Sequence, residues 1–384
     1  MKSGIRRLRM DIIYKNLLSL LRGRELVPEG EFFWYNLYDL AAKQGVLAVV
    51  WDVLSQGKAR NKHSCVVMDR ALMIRWAINV DKIEQTYLKQ KKTIAALAHF
   101  FAEQGIRMLL LKGYGLSLNY PVPWHRPCGD IDIWLFGIET DDATGKSCIK
   151  NVQAEADELL REKLNISIDE DKHHHTVFYF DGVMVENHYD FLNVHAHVSN
   201  RVIERRLQAL ARERMECVVV DGEEVYLPSA DFNALFILRH TASHFAAEKI
   251  GLRHLLDWKY FVEKDASNID WGALEWFAKE MNMHRFLYCM NAICVDFLGL
   301  SSDLLPHFER NRDLEHRVLN EIFYPEFSEP KPLRGGLFQS LNYKLRRWWA
   351  NRWKHRIVYR EDLVSTFFVQ VWSHLMKPKT LRFE

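Results

Sequence analysis

Apolar positions recur three and four residues apart near the start of the chain, at Leu17, Leu18, Leu20 and Leu21 and again at Phe33, Leu37, Leu40 and Ala41, and this spacing predicts helices with one buried face. The same pattern fills 68–101 with few breakers and runs into Gly105, a C-terminal stop. The period then shortens. Brief apolar runs predict strands at 108–111, 130–136, 176–180, 183–190, 216–220 and 223–227, with a helix over about 151–163. Asp181-Gly182 and Asp221-Gly222 each sit between two such runs, the strongest short signal for a hairpin. Beyond Asp231 the helical period returns, and 325–336, with three prolines and two glycines, reads as a linker. The expectation is an α+β protein. A small mixed-sheet core at 105–230 would be flanked by an N-terminal helical region at 1–104 and a C-terminal helical region at 231–384.

Composition narrows this only slightly. The 52 Lys and Arg balance 50 Asp and Glu for a net charge of +2, so the chain as a whole draws neither nucleic acid nor membrane, and any electrostatic recognition must be local. The six cysteines are scattered without a Cys-x-x-Cys pair, which suits reduced thiols rather than a disulfide framework or zinc site and places the protein in the cytoplasm. The basic start, 1–9, continues into a stretch holding Asp11, Lys15 and Arg22, an amphipathic helix rather than a signal peptide. No run approaches the roughly 18 apolar residues of a membrane span.

The chemistry concentrates in Gly129-Asp130-Ile131-Asp132-Ile133. Strand alternation puts both aspartates on one face and Ile131, Ile133 and Leu135 on the other. Two carboxylates so close repel unless a cation neutralises them, and hard oxygen donors suit Mg²⁺ or Mn²⁺. A third acid, Glu186, lies on the second strand of the Asp181-Gly182 hairpin and shares a face with His188.

Together, Leu111-Lys112-Gly113, Tyr120, Pro121, Arg126, Gly129-Asp130-Ile131-Asp132 and Val185-Glu186-Asn187-His188 resemble a family of bacterial nucleotidyltransferase-like proteins within the DNA polymerase β-like nucleotidyltransferase superfamily. The resemblance extends into the flanking helical segments. Where the superfamily is expected to carry a Gly-Ser pair after its first strand, Tyr114 follows Gly113 here. The resemblance implies transfer of a nucleoside monophosphate from a nucleoside triphosphate to an acceptor hydroxyl. One Mg²⁺ or Mn²⁺ would be held by Asp130, Asp132 and Glu186 and a second by Asp130 and Asp132. It also implies that the helix bearing His240 and His244, with Arg253 and Asp257 on the next, closes over the cleft; an interhelical polar contact is the other reading of those residues.

Neither the nucleotide nor the acceptor, whether small molecule, protein or RNA, can be read from these residues, and the oligomeric state is equally silent. A protein that binds nucleotide and cation without turnover fits the same motifs. Lys112 and Gly113 read either as a strand end and turn or as a triphosphate cradle, because glycine admits phosphates close to the backbone; Ser117 would help if a helix follows. Arg126 could meet phosphate or an acid, and His188 could orient Glu186 or touch substrate. The run His173-His174-His175 reads as a solvated or strand-facing cluster rather than a ligand set, since three adjacent side chains on a strand cannot all face one ion. Finally, 343–360 holds seven Lys or Arg and no acid, interleaved with Trp348, Trp349 and Trp353. It could recruit RNA, lie on an anionic membrane surface, or dock a terminal helix onto its own domain.

Overall fold

In a computed structural model, which describes residues 2–55, 68–140, 147–170, 174–247, 249–330 and 337–362, the chain opens with helices α1 (Lys2–Leu21), α2 (Phe33–Lys43), α3 (Leu47–Ser55) and the long α4 (Arg70–Ala102). Asp69 caps α4 by accepting from the backbone N–H of Ala71, and Gly105, at φ +73°, turns the chain out of it as expected. The α+β core follows as β1 (Arg107–Leu111), α5 (Lys112–Ser117), β2 (Ile131–Thr140), β3 (Ser147–Asn151), α6 (Gln153–Leu164), β4 (Ile168–Asp169), β5 (His175–Phe180), β6 (Val183–His188), α7 (Val198–Glu213), β7 (Met215–Val220) and β8 (Glu223–Pro228). Then come α8 (Ala230–Ala247), α9 (Leu252–Asp265), α10 (Trp271–Glu280), α11 (His284–Leu298), α12 (Arg312–Phe323), α13 (Leu337–Ala350) and α14 (Arg352–Val358).

The described strands form one mixed sheet in the order β4-β5-β6-β2-β1-β8-β7. Strand β2 pairs antiparallel with β1 on one edge; on the other, its first half runs parallel to β6 and its second half antiparallel to β3. Both Asp-Gly hairpins form, with Asp181 and Gly182 at φ +49° and +67° and Asp221 and Gly222 at +49° and +95°, the positive angles that favour glycine and aspartate there.

Alternation along β1 and β2 sorts the interior into two cores. Met108, Leu110, Ile131, Ile133 and Leu135 pack against Ile94, Leu97 and Phe101 of α4 and Ala156 and Leu160 of α6. Leu109, Leu111, Trp134 and Phe136 point the other way, into a larger core with α1–α3 and α7–α12. Asp132 belongs to this second face, so the acid sits at the foot of the helical layer rather than in solvent. Among the described residues no helix is long and apolar enough to cross a membrane, and Cys128, Cys148, Cys217, Cys289 and Cys294 are free thiols.

Several expected boundaries move. Strand β2 starts at Ile131, after Asp130, and runs on to Thr140 because β3, which was not expected, pairs with its second half. Strand β6 stops at His188, and α7 occupies a stretch in which no helix was expected. Its buried Ile203, Leu207, Leu210 and Ala211 carry the helical period. Lys112 and Gly113 begin a short helix directly after β1 rather than a plain turn. The expected linker is described only to residue 330.

Candidate active site

The parallel pairing of β2 with β6 sets Asp132 directly opposite Glu186, and the antiparallel pairing with β1 sets it opposite Leu111, so Lys112 leaves β1 beside the same carboxylate. Lys112 Nζ lies 2.8 Å from Asp132 Oδ1. His188 Nε2 reaches the same oxygen at 3.0 Å and Glu186 Oε2 at 3.6 Å, while its Nδ1 lies 3.1 Å from the carbonyl oxygen of Asp190. Donor atoms of Asp132, Glu186 and His188 all fall within 4.8 Å of one another, as a metal ligand set requires. Asp130 is not in that group. It stands one residue ahead of β2, half-buried, on the wall of the adjoining cleft.

Charge follows from this packing. Burial opposes ionisation of Asp132, but Lys112 and then His188 outweigh it and hold the carboxyl well below its usual range. Burial likewise pushes His188 down, and hydrogen bonds to Asp132 and Glu186 overcome it, raising the imidazole to about 9. Lys112 is raised because Asp132 more than offsets its desolvation. Asp130 is raised, first by burial and then by Asp132. The centre thus holds an acid pair already countered by an ammonium and an imidazolium.

The cleft, about 290 Å³, opens between this end of the sheet and the helices α8 and α9. Lys112, Gly113, Asp130 and Asp132 line one side and His240, His244, Arg253, His254 and Asp257 the other. Gly113, at φ +24° and ψ −108°, kinks the start of α5 in a conformation that side-chain-bearing residues rarely adopt, and a Cβ there would lie in contact with the Asp130 carbonyl oxygen at 3.4 Å. The turn and the acid loop are therefore packed back to back. His240 is held well below its ordinary pKa by burial, and His254 is pushed down to about 4 by burial and then by Arg253. This helical wall is consequently rich in neutral imidazole.

The remaining expected residues divide. Arg126 lies in the cleft lining but is committed to Asp257, its Nε and Nη2 donating to the two carboxylate oxygens at 2.8 and 2.9 Å. The acid partner is the one the structure selects. Ser117 does not join the cleft: it is buried and donates to the carbonyl of Tyr114 at 2.6 Å, as serines one turn along a helix often do. His254 was not expected, and no motif announces it; only the crossing of α8 and α9 brings it near His240 and His244. His174 and His175 also reach the centre, because His174 sits on the bend before β5 and strand alternation does not separate the two rings. His173 lies outside the described residues.

At the C-terminal end, α14 docks onto the protein. Ile357, Val358 and Tyr359 are buried, Lys354 pairs with Glu321 at 2.6 Å in the interior, and Trp353 packs edge-on against Phe245. Arg239 of α8 donates to the Val358 carbonyl and lies 4.5 Å from the Tyr359 ring centre. Trp349 on α13 stays exposed.

Residues 30–299 match the model of a family described as uncharacterised nucleotidyltransferase. Among solved structures, an antigenic nucleotidyltransferase-like protein from Paracoccidioides brasiliensis is similar at 14% identity, with 45% of this chain and 75% of that chain covered and a TM-score of 0.30. No match was found among curated proteins.

Proposed function

Because the chain belongs to the family of uncharacterised nucleotidyltransferases, we propose that it is an enzyme moving a nucleoside monophosphate from a nucleoside triphosphate to an acceptor hydroxyl. One observation carries this reading: Asp132 stands beside Glu186 on neighbouring parallel strands, and Asp132 and Asp130 line a cleft whose other wall carries Arg253 and three imidazoles. Hard carboxylate donors fit Mg²⁺ or Mn²⁺; Asp132 and Glu186, whose donor atoms lie within 4.8 Å of each other, would hold it, joined by Asp130 if its side chain turned in from the cleft wall. Such an ion supplies neutralisation of phosphate charge and acidification of a nearby hydroxyl.

The protein's own groups have separate tasks. Lys112 is a mobile point charge that can turn from Asp132 to a phosphate, and Gly113 lets the chain pass close to one. Among the described residues Arg253 forms no ion pair within 4 Å; its guanidinium donates to the Pro127 carbonyl at 3.2 Å and stands near enough to Asp257 to lower that carboxyl, with donors left for substrate. Arg126, tied to Asp257, shapes the wall. His188 orients Asp132 and Glu186 together.

The same centre supports a second reading, a nucleotide-binding protein without turnover, because Lys112 and His188 already satisfy the acids without any added cation. Incubation with α-labelled triphosphates and Mg²⁺ or Mn²⁺ separates the two. Label transfer or pyrophosphate release that disappears in Asp130→Ala and Asp132→Ala supports the transferase. Saturable binding with neither product supports the second reading.

A further inference from the structure

The imidazoles beside the acid pair, two of them buried and His174 partly so, form a group of their own. His174, His175 and His188 place ring nitrogens within 4.8 Å of one another, with ring centres 4.3 Å apart for His174 and His175, 5.0 Å for His175 and His188, and 5.6 Å for His174 and His188. Imidazoles of β5, β6 and the bend before β5 are expensive to gather in a largely buried spot unless something uses their lone pairs.

Two further observations point to a ligand. His175 is 6% exposed, yet among the described residues neither of its ring nitrogens has a hydrogen-bond partner; Nε2 approaches Glu186 Oε1 at 3.4 Å. His188, also buried, lies with Nδ1 3.1 Å from the Asp190 carbonyl, while its Nε2 faces the carboxylates beside the cluster, 3.0 Å from Asp132 Oδ1 and 3.6 Å from Glu186 Oε2. A carbonyl holding one nitrogen is how proteins orient a metal-binding imidazole, and an ion bound at Nε2 would displace the proton now shared with Asp132.

We propose that His174, His175 and His188 hold a borderline first-row transition ion, with Zn²⁺ the preferred occupant over Mg²⁺, beside the carboxylates of the nucleotide centre. Imidazole donors favour Zn²⁺ and its neighbours, whereas Mg²⁺ demands oxygen, so the donor set discriminates by chemistry rather than by size. Three protein nitrogens leave a fourth position open, and Glu186, 3.4 Å from His175 Nε2 and 3.6 Å from His188 Nε2, is the carboxylate within reach of both rings. Ligation at Nε2 takes the place of the proton that now bridges His188 to Asp132, freeing Asp132 for the nucleotide side of the site. The inference rests on the transferase reading for its purpose but not for its existence.

The test uses the full chain, stripped with a chelator and dialysed, then titrated with Zn²⁺ by calorimetry and with Co²⁺ by visible absorption, each with and without roughly a thousandfold excess of Mg²⁺. One equivalent of Zn²⁺ that Mg²⁺ does not displace, and a Co²⁺ spectrum of nitrogen-rich coordination, are expected. His175→Gln and His174→Gln should each weaken Zn²⁺ by at least about tenfold while circular dichroism stays unchanged. Asp132→Asn should retain Zn²⁺. A wild-type protein that fails to hold Zn²⁺ against Mg²⁺ overturns the proposal, as does a folded His174→Gln, His175→Gln double variant that binds Zn²⁺ like wild type. Zn²⁺ binding as expected without label transfer under any metal would remove the transferase reading and leave this site standing.

Discussion

Replacing Asp257 by alanine tests the architecture of the cleft most directly. Arg126 and Asp257 are 6% and 8% exposed at their side chains and share two charge-assisted hydrogen bonds of 2.8 and 2.9 Å, and the Tyr120 hydroxyl donates to the same carboxylate at 2.7 Å. With the carboxylate gone, the guanidinium keeps, among the described residues, the Pro127 carbonyl and the Cys128 sulfur, both at 3.4 Å. A buried charge stripped of its partner costs about 3–5 kcal/mol, whereas exchange of both partners for apolar residues of similar volume is near neutral. Urea unfolding followed by tryptophan fluorescence should therefore show Asp257→Ala losing about 3–5 kcal/mol and the Arg126→Met, Asp257→Leu double variant losing far less. The pH dependence fixes the sign. Burial alone would raise the Asp257 carboxyl, but Arg126 outweighs it and holds it below 3.8. The contribution is thus fully present above the unfolded value and fades only as pH falls through the lower folded one. The gap between wild type and Asp257→Ala should be flat from about pH 5 to 8 and close in acid. A cost under about 1 kcal/mol, or a double variant as damaged as the single, would refute the claim that this pair is buried and mutually dependent.

Asp132→Asn removes the partner that holds His188 at about 9, so its imidazole titration, followed by NMR of labelled histidine, should move down toward or below 6.5; an unmoved midpoint would mean that the two groups do not interact. Gly251→Ala would set a Cβ 2.9 Å from the Gln44 carbonyl oxygen, where the α2–α3 turn meets the start of α9, and should cost about 1–3 kcal/mol in thermal or urea unfolding. His125 bridges Asp52 and Glu84 at 2.7 Å each, and those bonds outweigh burial to raise its pKa above 6.5. His125→Gln should therefore destabilise most below pH 6.5, the deficit shrinking as pH rises through the raised value; a deficit that grows with pH would contradict the ion-pair account.

What the sequence disclosed follows physical range. The Asp-Gly hairpins were legible because a two-residue turn needs positive φ at adjacent positions, a demand few residue pairs meet. The long α4 was legible because thirty-three residues of helical period leave little ambiguity. Helix α7 was missed although Ile203, Leu207, Leu210 and Ala211 repeat correctly, since Glu and Arg crowd the positions between them and mask the stripe. Strand β3 was missed because it has five residues, none fully buried. At the site, alternation told which face Asp132, Glu186 and His188 take, but not that β2 and β6 are parallel neighbours in a register that aligns Asp132 with Glu186. No local signal sets that register. The choice of Asp257 as partner for Arg126, 131 positions along the chain, and the approach of His254 to His240 and His244, likewise depend on how helices cross.

The acids are also positioned from behind, which makes distant residues part of the same mechanics. On the α4 side, Gln90 donates to the Gly129 carbonyl at 2.8 Å and pins the loop that carries Asp130. On the α6 side, Asp157 accepts from Asn187 at 2.8 Å and from Thr176 at 2.8 Å, tying together the two strands that present His175, Glu186 and His188 on their opposite face. Because strand side chains alternate, each polar anchor in the inner core fixes the neighbour that faces the cleft. Burial raises the Asp157 carboxyl even though these donors favour its charged form, so the anchor is retained at an energetic cost. A polar network kept in a core that Ile133, Leu160 and Val185 otherwise fill makes sense where position matters more than stability. The group it positions is the one facing Asp132 of β2.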